Sequence, residues 1–567
     1  MRLPELRAAA AVAAMTGTCL ACAPAVQATK LLASDTRELR PAHEADADPD
    51  RADLLVIALD GVDRKLLYGM LERGEMPETS ALLGGRVNGA PDAHPHAYFD
   101  HAITATLPSI TAAAWATVFT GTPPAQHGVP GNEYFVRERR QLAAPIPNSV
   151  SAVATALSVF TEGYANGLLA VPTIYERMRA REPDITMWVS MSQYYKGADM
   201  LLLTRRAVLG DAFNALLSSV VDAKMAKKVW GDLDKEDVEV VVEKLEKGPL
   251  PNVLTLYVFG TDDYAHVAPE GPDESRRAYL RDVVDPALGK LRGALSKRGA
   301  LASRYVVITG DHGHTQVLPD DAHSMAMNDE DDPPAVVRGA GFRLRPFKLE
   351  VDAKDDFQAV LAYEGAMAFA YVADRSTCAA KGTPCDWSLP PRYREDVLAL
   401  AEGFRENDRD GRWAPSMKGA LDMIFVRRPR PFAEVDLPFE VYVGDGKTVP
   451  VDEYLAKHPH PTYVDVASRL RDLAVGPHGE RAGDVLLLAH NGDRERPEER
   501  FYFAPHYQSW HGSPSRNDSD IPLVVGNPGR AQADIARDVK AVLGQEPHQQ
   551  AVGELIVRLR GEKKAAR

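Results

Sequence analysis

From Asp53 onward the chain alternates between two textures. Three compact apolar runs, Leu54-Leu-Val-Ile-Ala-Leu59, Val253-Leu-Thr-Leu-Tyr-Val-Phe259 and Tyr305-Val-Val-Ile-Thr309, are dense in β-branched and aliphatic residues. Near-continuous runs of this length predict parallel strands buried on both faces. Between them, Thr111 to Phe119 and Arg276 to Leu295 carry helical patterns. Strands alternating with helices predict an α/β fold with a mostly parallel central sheet flanked by helices. Before Asp53 the texture differs: residues 29–52, with AHEADADPDR, are polar and read as a flexible tether. A single catalytic domain is expected over 53–567, with inserted cap segments at about 340–475. Asp320 to Pro334 is acidic and reads as a surface loop, and Ala531 to Arg567 as a terminal helix with a basic end.

The start of the chain reads as an export signal. Arg2 and Arg7 precede an Ala-rich apolar stretch, Ala8 to Met15, followed by small residues. Cleavage after Ala28, in Val26-Gln27-Ala28, makes residues 1–28 a signal peptide. Alternatively, Leu20-Ala21-Cys22 resembles a bacterial lipobox, with Cys19 where leucine is usual, and Cys22 would then carry the lipid. No later segment runs to the roughly 18 apolar residues of a membrane span. The expectation is a periplasmic or extracellular protein whose only membrane contact would be an anchor at Cys22. The other cysteines, Cys378 and Cys385, close Cys-Ala-Ala-Lys-Gly-Thr-Pro-Cys, which is not a zinc-ribbon spacing. In an oxidising compartment they predict a small disulfide; in its absence they would be two thiols in a surface loop.

Composition narrows the partners. The 567 residues are 45% hydrophobic and 26% charged, ordinary for a globular chain. Lys plus Arg number 66 against 80 Asp plus Glu, a formal charge of −14. Such a surface repels a polyanion, which argues against a protein that reads nucleic acid. A small phosphorylated substrate stays open, because one local cationic centre can override the global sign.

The candidate chemistry sits just past each strand run. The first run ends in Asp60-Gly61, the second in Thr261-Asp262 and the third in Gly310-Asp311-His312. Ligands of open α/β sheets bind beyond the carboxyl ends of the strands. Three distant segments thus deliver carboxylates to one edge, two of them with a nearby histidine, His266 or His312, and a metal site explains this economically. Thr111 opens a helical run that ends at Gly121. Its bland role is to cap that helix; beside a metal, its hydroxyl becomes a candidate nucleophile.

Asp60-Gly61, the stretch Thr111 to Gly121, His127-Gly128, Asp262 to His266, Asp311-His312-Gly313 and His511-Gly512 succeed one another in a fixed order. That order resembles the alkaline phosphatase superfamily, specifically its type I phosphodiesterase/nucleotide pyrophosphatase branch. The resemblance implies an alkaline-phosphatase-like core and two Zn²⁺ ions. Asp60, Thr111, Asp311 and His312 match the ligands of one ion, and Asp262, His266 and His511 those of the other. It further implies Thr111 as nucleophile, a phosphothreonine intermediate, and a nucleotide or other phosphodiester as substrate. Asn132 falls where the family contacts a phosphate oxygen; its bland reading is a turn residue after Pro130-Gly131.

Asp263 is the rival of Asp262, and Ala265 stands where the family usually has glycine. His314, His323 and His506 are expected outside the ligand set, at its periphery or on the surface. The Cys/Ser-x-Pro-x-Arg motif of sulfatases is missing from Thr111-Ala-Ala-Ala. Ser190 to Lys196-Gly replaces the Lys-x-Arg typical of monoesterases, which favours a diester or pyrophosphate. The rivals are a phosphomonoesterase or phosphonate hydrolase on the same scaffold, and an inactive metal-dependent binding protein.

Overall fold

Alternate residues of the strand Asp53–Leu59 enter different cores: Leu54, Val56 and Ala58 one, Leu55, Ile57 and Leu59 the other. A strand dry on both faces explains its unbroken apolar run. Burying each of its larger side chains contributes about 1.5–3 kcal/mol. Val253–Val258 and Arg304–Gly310 flank it, both parallel to it, and divide their side chains in the same way. In this computed structural model the described residues are 36–40, 50–87, 93–149, 163–204, 223–326, 331–428, 438–544 and 547–562. The export signal, with Cys22 and Ala28, lies outside them.

The main sheet has eight strands. In spatial order they are Thr36–Glu38, Met200–Leu202, Met187–Ser190, Val253–Val258, Asp53–Leu59, Arg304–Gly310, Leu523–Gly526 and Ala97–Asp100. The five from Met200–Leu202 to Arg304–Gly310 run parallel; Thr36–Glu38 and Leu523–Gly526 pair antiparallel to them, and Ala97–Asp100 pairs antiparallel to Leu523–Gly526. Helices Thr111–Thr120 and Gln550–Arg560 contribute to one core, and Arg64–Arg73 and Asp285–Lys297 to the other. The expected mixed α/β architecture is present.

Several boundaries depart from expectation. Within the stretch read as a tether, Thr36–Glu38 is a strand paired with Met200–Leu202. The pattern Arg276 to Leu295 is not one regular helix: Pro272–Tyr279 passes through a π-helical segment, Leu280–Val284, into Asp285–Lys297. Pro286 has no N–H for the regular i−4 ladder, and the wider turn accommodates it. The terminal segment forms two helices, Gln532–Leu543 and Gln550–Arg560. Among the described residues, no helix is long and apolar enough to cross a membrane.

The segment expected as a cap builds a second sheet, antiparallel throughout, in the order Ala359–Glu364, Met367–Val372, Val485–Ala489, Leu421–Val426, Glu440–Gly444 and Lys447–Pro450. Its third strand lies past residue 475, so the sheet exceeds the expected insertion. It shares an apolar core with Leu107, Phe135 and Leu142, which ties it to the chain beside Thr111. Cys378 and Cys385 are joined, at a sequence separation of 7. So small a loop constrains the unfolded chain little, and only modest stabilisation is expected. Digestion of the unreduced protein should release the two cysteines in one linked species; two separately alkylated peptides would reject the bridge.

Candidate active site

The three carboxylates reach one edge because their strands are adjacent and parallel. Asp60 follows Asp53–Leu59, and Asp311 follows Arg304–Gly310. Asp262 lies in the first turn of the helix Gly260–Val267, just beyond Val253–Val258. Gly61 turns the chain at φ +67°, and a Cβ there would stand 2.7 Å from His314 Nε2 and 2.9 Å from Asp262. Only glycine meets both demands without strain.

Two overlapping groups of side chains result. In the first, Asp60, Asp311 and His312 offer ligand atoms within 4.8 Å of one another. His312 Nε2 lies 3.2 Å from Asp311 Oδ2 and 3.6 Å from Asp60 Oδ1. In the second, Asp262 is the hub: its Oδ1 is 2.8 Å from His314 Nε2 and 3.7 Å from His511 Nε2, and its Oδ2 is 3.3 Å from His266 Nε2. The groups meet where His312 Nε2 comes 3.9 Å from Asp262 Oδ1. The rings of His312 and His511 stack with centroids 3.5 Å apart.

Thr111 does not cap its helix. The cap position of Thr111–Thr120 is Ile110, and no side chain bonds the first turn from it. Instead Thr111 Oγ1 lies 3.1 Å from His312 Nε2, at the first group. The Ala112 N–H donates to Asn132 Oδ1 over 2.9 Å, so Asn132 stands over the helix N-terminus beside Thr111. With that oxygen committed, the amide's donor end is what Asn132 can offer an anion. The helix terminus itself favours negative charge.

Electrostatics strain this arrangement unless cations join it. Burial pushes Asp60 well above the usual carboxylate range, and the charges of Asp311 and Asp262 push it further. Burial likewise raises Asp311, to about 6. Burial acts upward on Asp262 too, but His266 and His314 hold it well below its ordinary value. His511 is depressed by burial and then by His312, which favours the neutral, ligating form. Asp60 Oδ1 and Asp311 Oδ2 have no hydrogen-bond partner among the described residues. The far ring nitrogens are occupied: His266 Nδ1 lies 2.7 Å from the Ser509 carbonyl, His312 Nδ1 3.0 Å from that of Gly313, and His511 Nδ1 3.0 Å from that of Ser109. Carbonyls fix the proton on Nδ1 and leave each Nε2 as an electron-pair donor. Carboxylate oxygens and histidine nitrogens in this arrangement fit Zn²⁺.

Most residues singled out in the sequence meet at this edge. Asp60, Thr111, Asp262, His266, Asp311, His312 and His511 come together, with Asn132 beside Thr111. Asp263 is half-buried and belongs to neither group, and desolvation followed by the Asp262 charge raises it to about 8. His323 and His506 pair with Asp320 and Asp321, away from the groups. His314 is buried within the second group. Lys196 is half-exposed and paired with Glu176 at 3.3 Å.

Sequence reasoning missed the supports. Tyr257 and Trp115 both donate to Asp60 Oδ2, the tryptophan over 3.4 Å. The Glu364 carboxylate, from the second sheet, accepts the N–H groups of Asn132 and Glu133 over 2.7 and 3.1 Å. Tyr257 could have been found by alternation, since it shares a strand face with residues two positions away. Glu364 left no signal, because its partner is 232 residues away.

Comparison with known proteins agrees with the motif order. The family model described as type I phosphodiesterase/nucleotide pyrophosphatase matches residues 54–373. Among curated proteins, none matches this chain. Similar solved structures include murine ectonucleotide pyrophosphatase/phosphodiesterase 5, at 13% identity and a TM-score of 0.48, with 91% of this chain and 96% of that one covered. An inactive variant of that murine protein, in complex with AMP, matches at 12% identity and a TM-score of 0.47 over the same shares.

Proposed function

The chain belongs to the type I phosphodiesterase/nucleotide pyrophosphatase family, a family of phosphoric ester hydrolases, and from that premise we propose an exported two-zinc enzyme that cleaves phosphodiester or pyrophosphate bonds through Thr111. The observation that carries this reading is the Thr111 hydroxyl, free of any capping role and 3.1 Å from His312 Nε2, beside the buried carboxylate oxygens Asp60 Oδ1 and Asp311 Oδ2, which no hydrogen bond engages among the described residues. Asp60, Thr111, Asp311 and His312 would hold one ion, and Asp262, His266 and His511 the other. When bound, the two ions supply Lewis-acid charge that acidifies the threonine hydroxyl and a water and offsets charge on the phosphoryl oxygens.

The residues then divide the work. Thr111 Oγ attacks phosphorus in line; an Oγ–P bond forms, the bond to the leaving oxygen breaks, and the threonine proton passes to solvent. Asn132 donates its amide N–H to a non-bridging oxygen, where charge grows in the transition state. The leaving alcohol or nucleotide takes a proton from solvent. Water then attacks the phosphorus of the phosphothreonine from the side opposite Oγ. A new O–P bond forms, the Oγ–P bond breaks, the water gives up a proton to solvent and Thr111 Oγ takes one back, and the water oxygen leaves on the released phosphate product. Glu364, bonded to the backbone of Asn132 and Glu133, holds that loop in place.

A diester or pyrophosphate is favoured over a monoester because Lys196, the cation nearest the place of a dianion clamp in sequence, is paired with Glu176. The expected result is a higher kcat/KM on bis-p-nitrophenyl phosphate than on p-nitrophenyl phosphate. The reverse preference would move the enzyme to the monoesterase reading, and hydrolysis of neither, with zinc restored, to the binding-protein reading.

A further inference from the structure

A second cluster of metal-ligating side chains lies apart from the catalytic edge, on the sheet of the inserted region. Asp422, on the strand Leu421–Val426, His460, before the helix Val466–Ala474, and Asp493, after Val485–Ala489, offer ligand atoms within 4.8 Å of one another. His460 Nε2 is 3.6 Å from Asp422 Oδ1. We propose that these three side chains form a further divalent-cation site, of zinc-type preference, that fastens the loop around His460 to the sheet.

Each of the three donors is held by a neighbour in the manner of a built site. Tyr463 donates its hydroxyl to Asp422 Oδ2 over 2.6 Å, which leaves Oδ1 facing His460. His490 Nδ1 lies 2.7 Å from Asp493 Oδ2, and the Asn491 N–H donates to Asp493 Oδ1 over 2.8 Å. The His460 ring stacks on Tyr463, with centroids 4.7 Å apart and planes 7° from parallel, which fixes its orientation. Such outer partners orient ligands and raise their basicity in metal centres. The Asp422 side chain is only 5% exposed.

Two carboxylates and one imidazole are a donor set for zinc or a similar transition ion, and three protein ligands leave a position for water. Arg494 approaches Asp493 and His490 from the solvent side, where its own side chain is 42% exposed. It partly neutralises Asp493, whereas the titratable groups that face Asp422 are Asp493, His460 and His490. The His460 side of the cluster opens on a cleft of about 400 Å³ lined by His460, Pro461, Tyr463 and Asp465, which gives an ion a way in. Nothing in the phosphoryl-transfer reading uses these residues, so the site stands independently of it.

The test measures metal, not turnover. The full chain, saturated with Zn²⁺ and freed of excess, should bind one equivalent more than His460→Gln or Asp493→Asn prepared identically, with hydrolysis unchanged. Equal zinc content in wild type and both folded variants would overturn the site. A second measurement needs no variant. Zn²⁺ should protect His460 from diethyl pyrocarbonate in the wild-type protein at least about tenfold more than it protects the neighbouring exposed His458, read by peptide mass spectrometry. Equal labelling of His460 with and without Zn²⁺ would also overturn it.

Discussion

Thr111→Ala should fold, retain much of its metal and lose on the order of 10⁴-fold or more in turnover, as expected when a covalent nucleophile is deleted. A cap would predict a different outcome, a loss of about 1 kcal/mol of stability and little change in rate. The geometry speaks against the cap. Thr111 is inside the helix, Ile110 occupies the cap position, and the Thr111 hydroxyl meets His312 rather than a backbone N–H. Deleting it therefore removes no capping bond, and the melting temperature should change little. Thr111→Ser keeps a hydroxyl at the same point and should retain measurable activity. Acid quenching of wild type during turnover should trap phosphate on residue 111. Near-normal hydrolysis by a folded Thr111→Ala enzyme would sink the covalent mechanism. Thr106 would then be the next hydroxyl to test, although its backbone N–H is engaged by Gln549.

The core of the fold was legible because its strands are buried on both faces. Leu54 to Leu59 must be apolar at every position when alternate side chains enter two different cores, and that leaves a mark no surface strand has. The site was legible for a related reason. Adjacent parallel strands bring their carboxyl ends together, so Asp60, Asp262 and Asp311 could be joined from the pattern of the chain alone.

Less was legible where partners are distant or chemistry is generic. Thr36–Glu38 is a polar edge strand whose only mark is the Met200–Leu202 strand it pairs with, so it looked like tether. The second sheet was hidden in a stretch rich in prolines and loops, and its member Val485–Ala489 comes after a helix that broke the pattern. His314 shows the limit within the site itself. Its ring centroid lies 5.8 Å from that of His312, two residues earlier, yet the ligand set was complete without it and nothing in the spacing demanded a further histidine.

Asp262→Asn should cost the second group its ion, lowering the zinc content by about one ion per chain, with activity falling by at least about 10²-fold. Loss of an outer partner alone typically costs 10- to 100-fold, and Asp262 touches the ring nitrogens of His266, His314 and His511 directly. The amide keeps the shape but removes the one negative charge that three histidines share. It should also lower the His266 pKa, since burial acts downward on it and Asp262 is the main contribution raising it. Histidine variants then assign the remaining ligands. His511→Ala should weaken the ion, with activity restored by excess Zn²⁺. His314→Ala should keep it if His314 only orients Asp262, and lose it if His314 is itself a ligand. Undiminished zinc content and full turnover in Asp262→Asn would remove Asp262 from the metal centre. The rival carboxylate would be Asp263, half-buried and raised to about 8, and Asp263→Asn should then produce the loss instead.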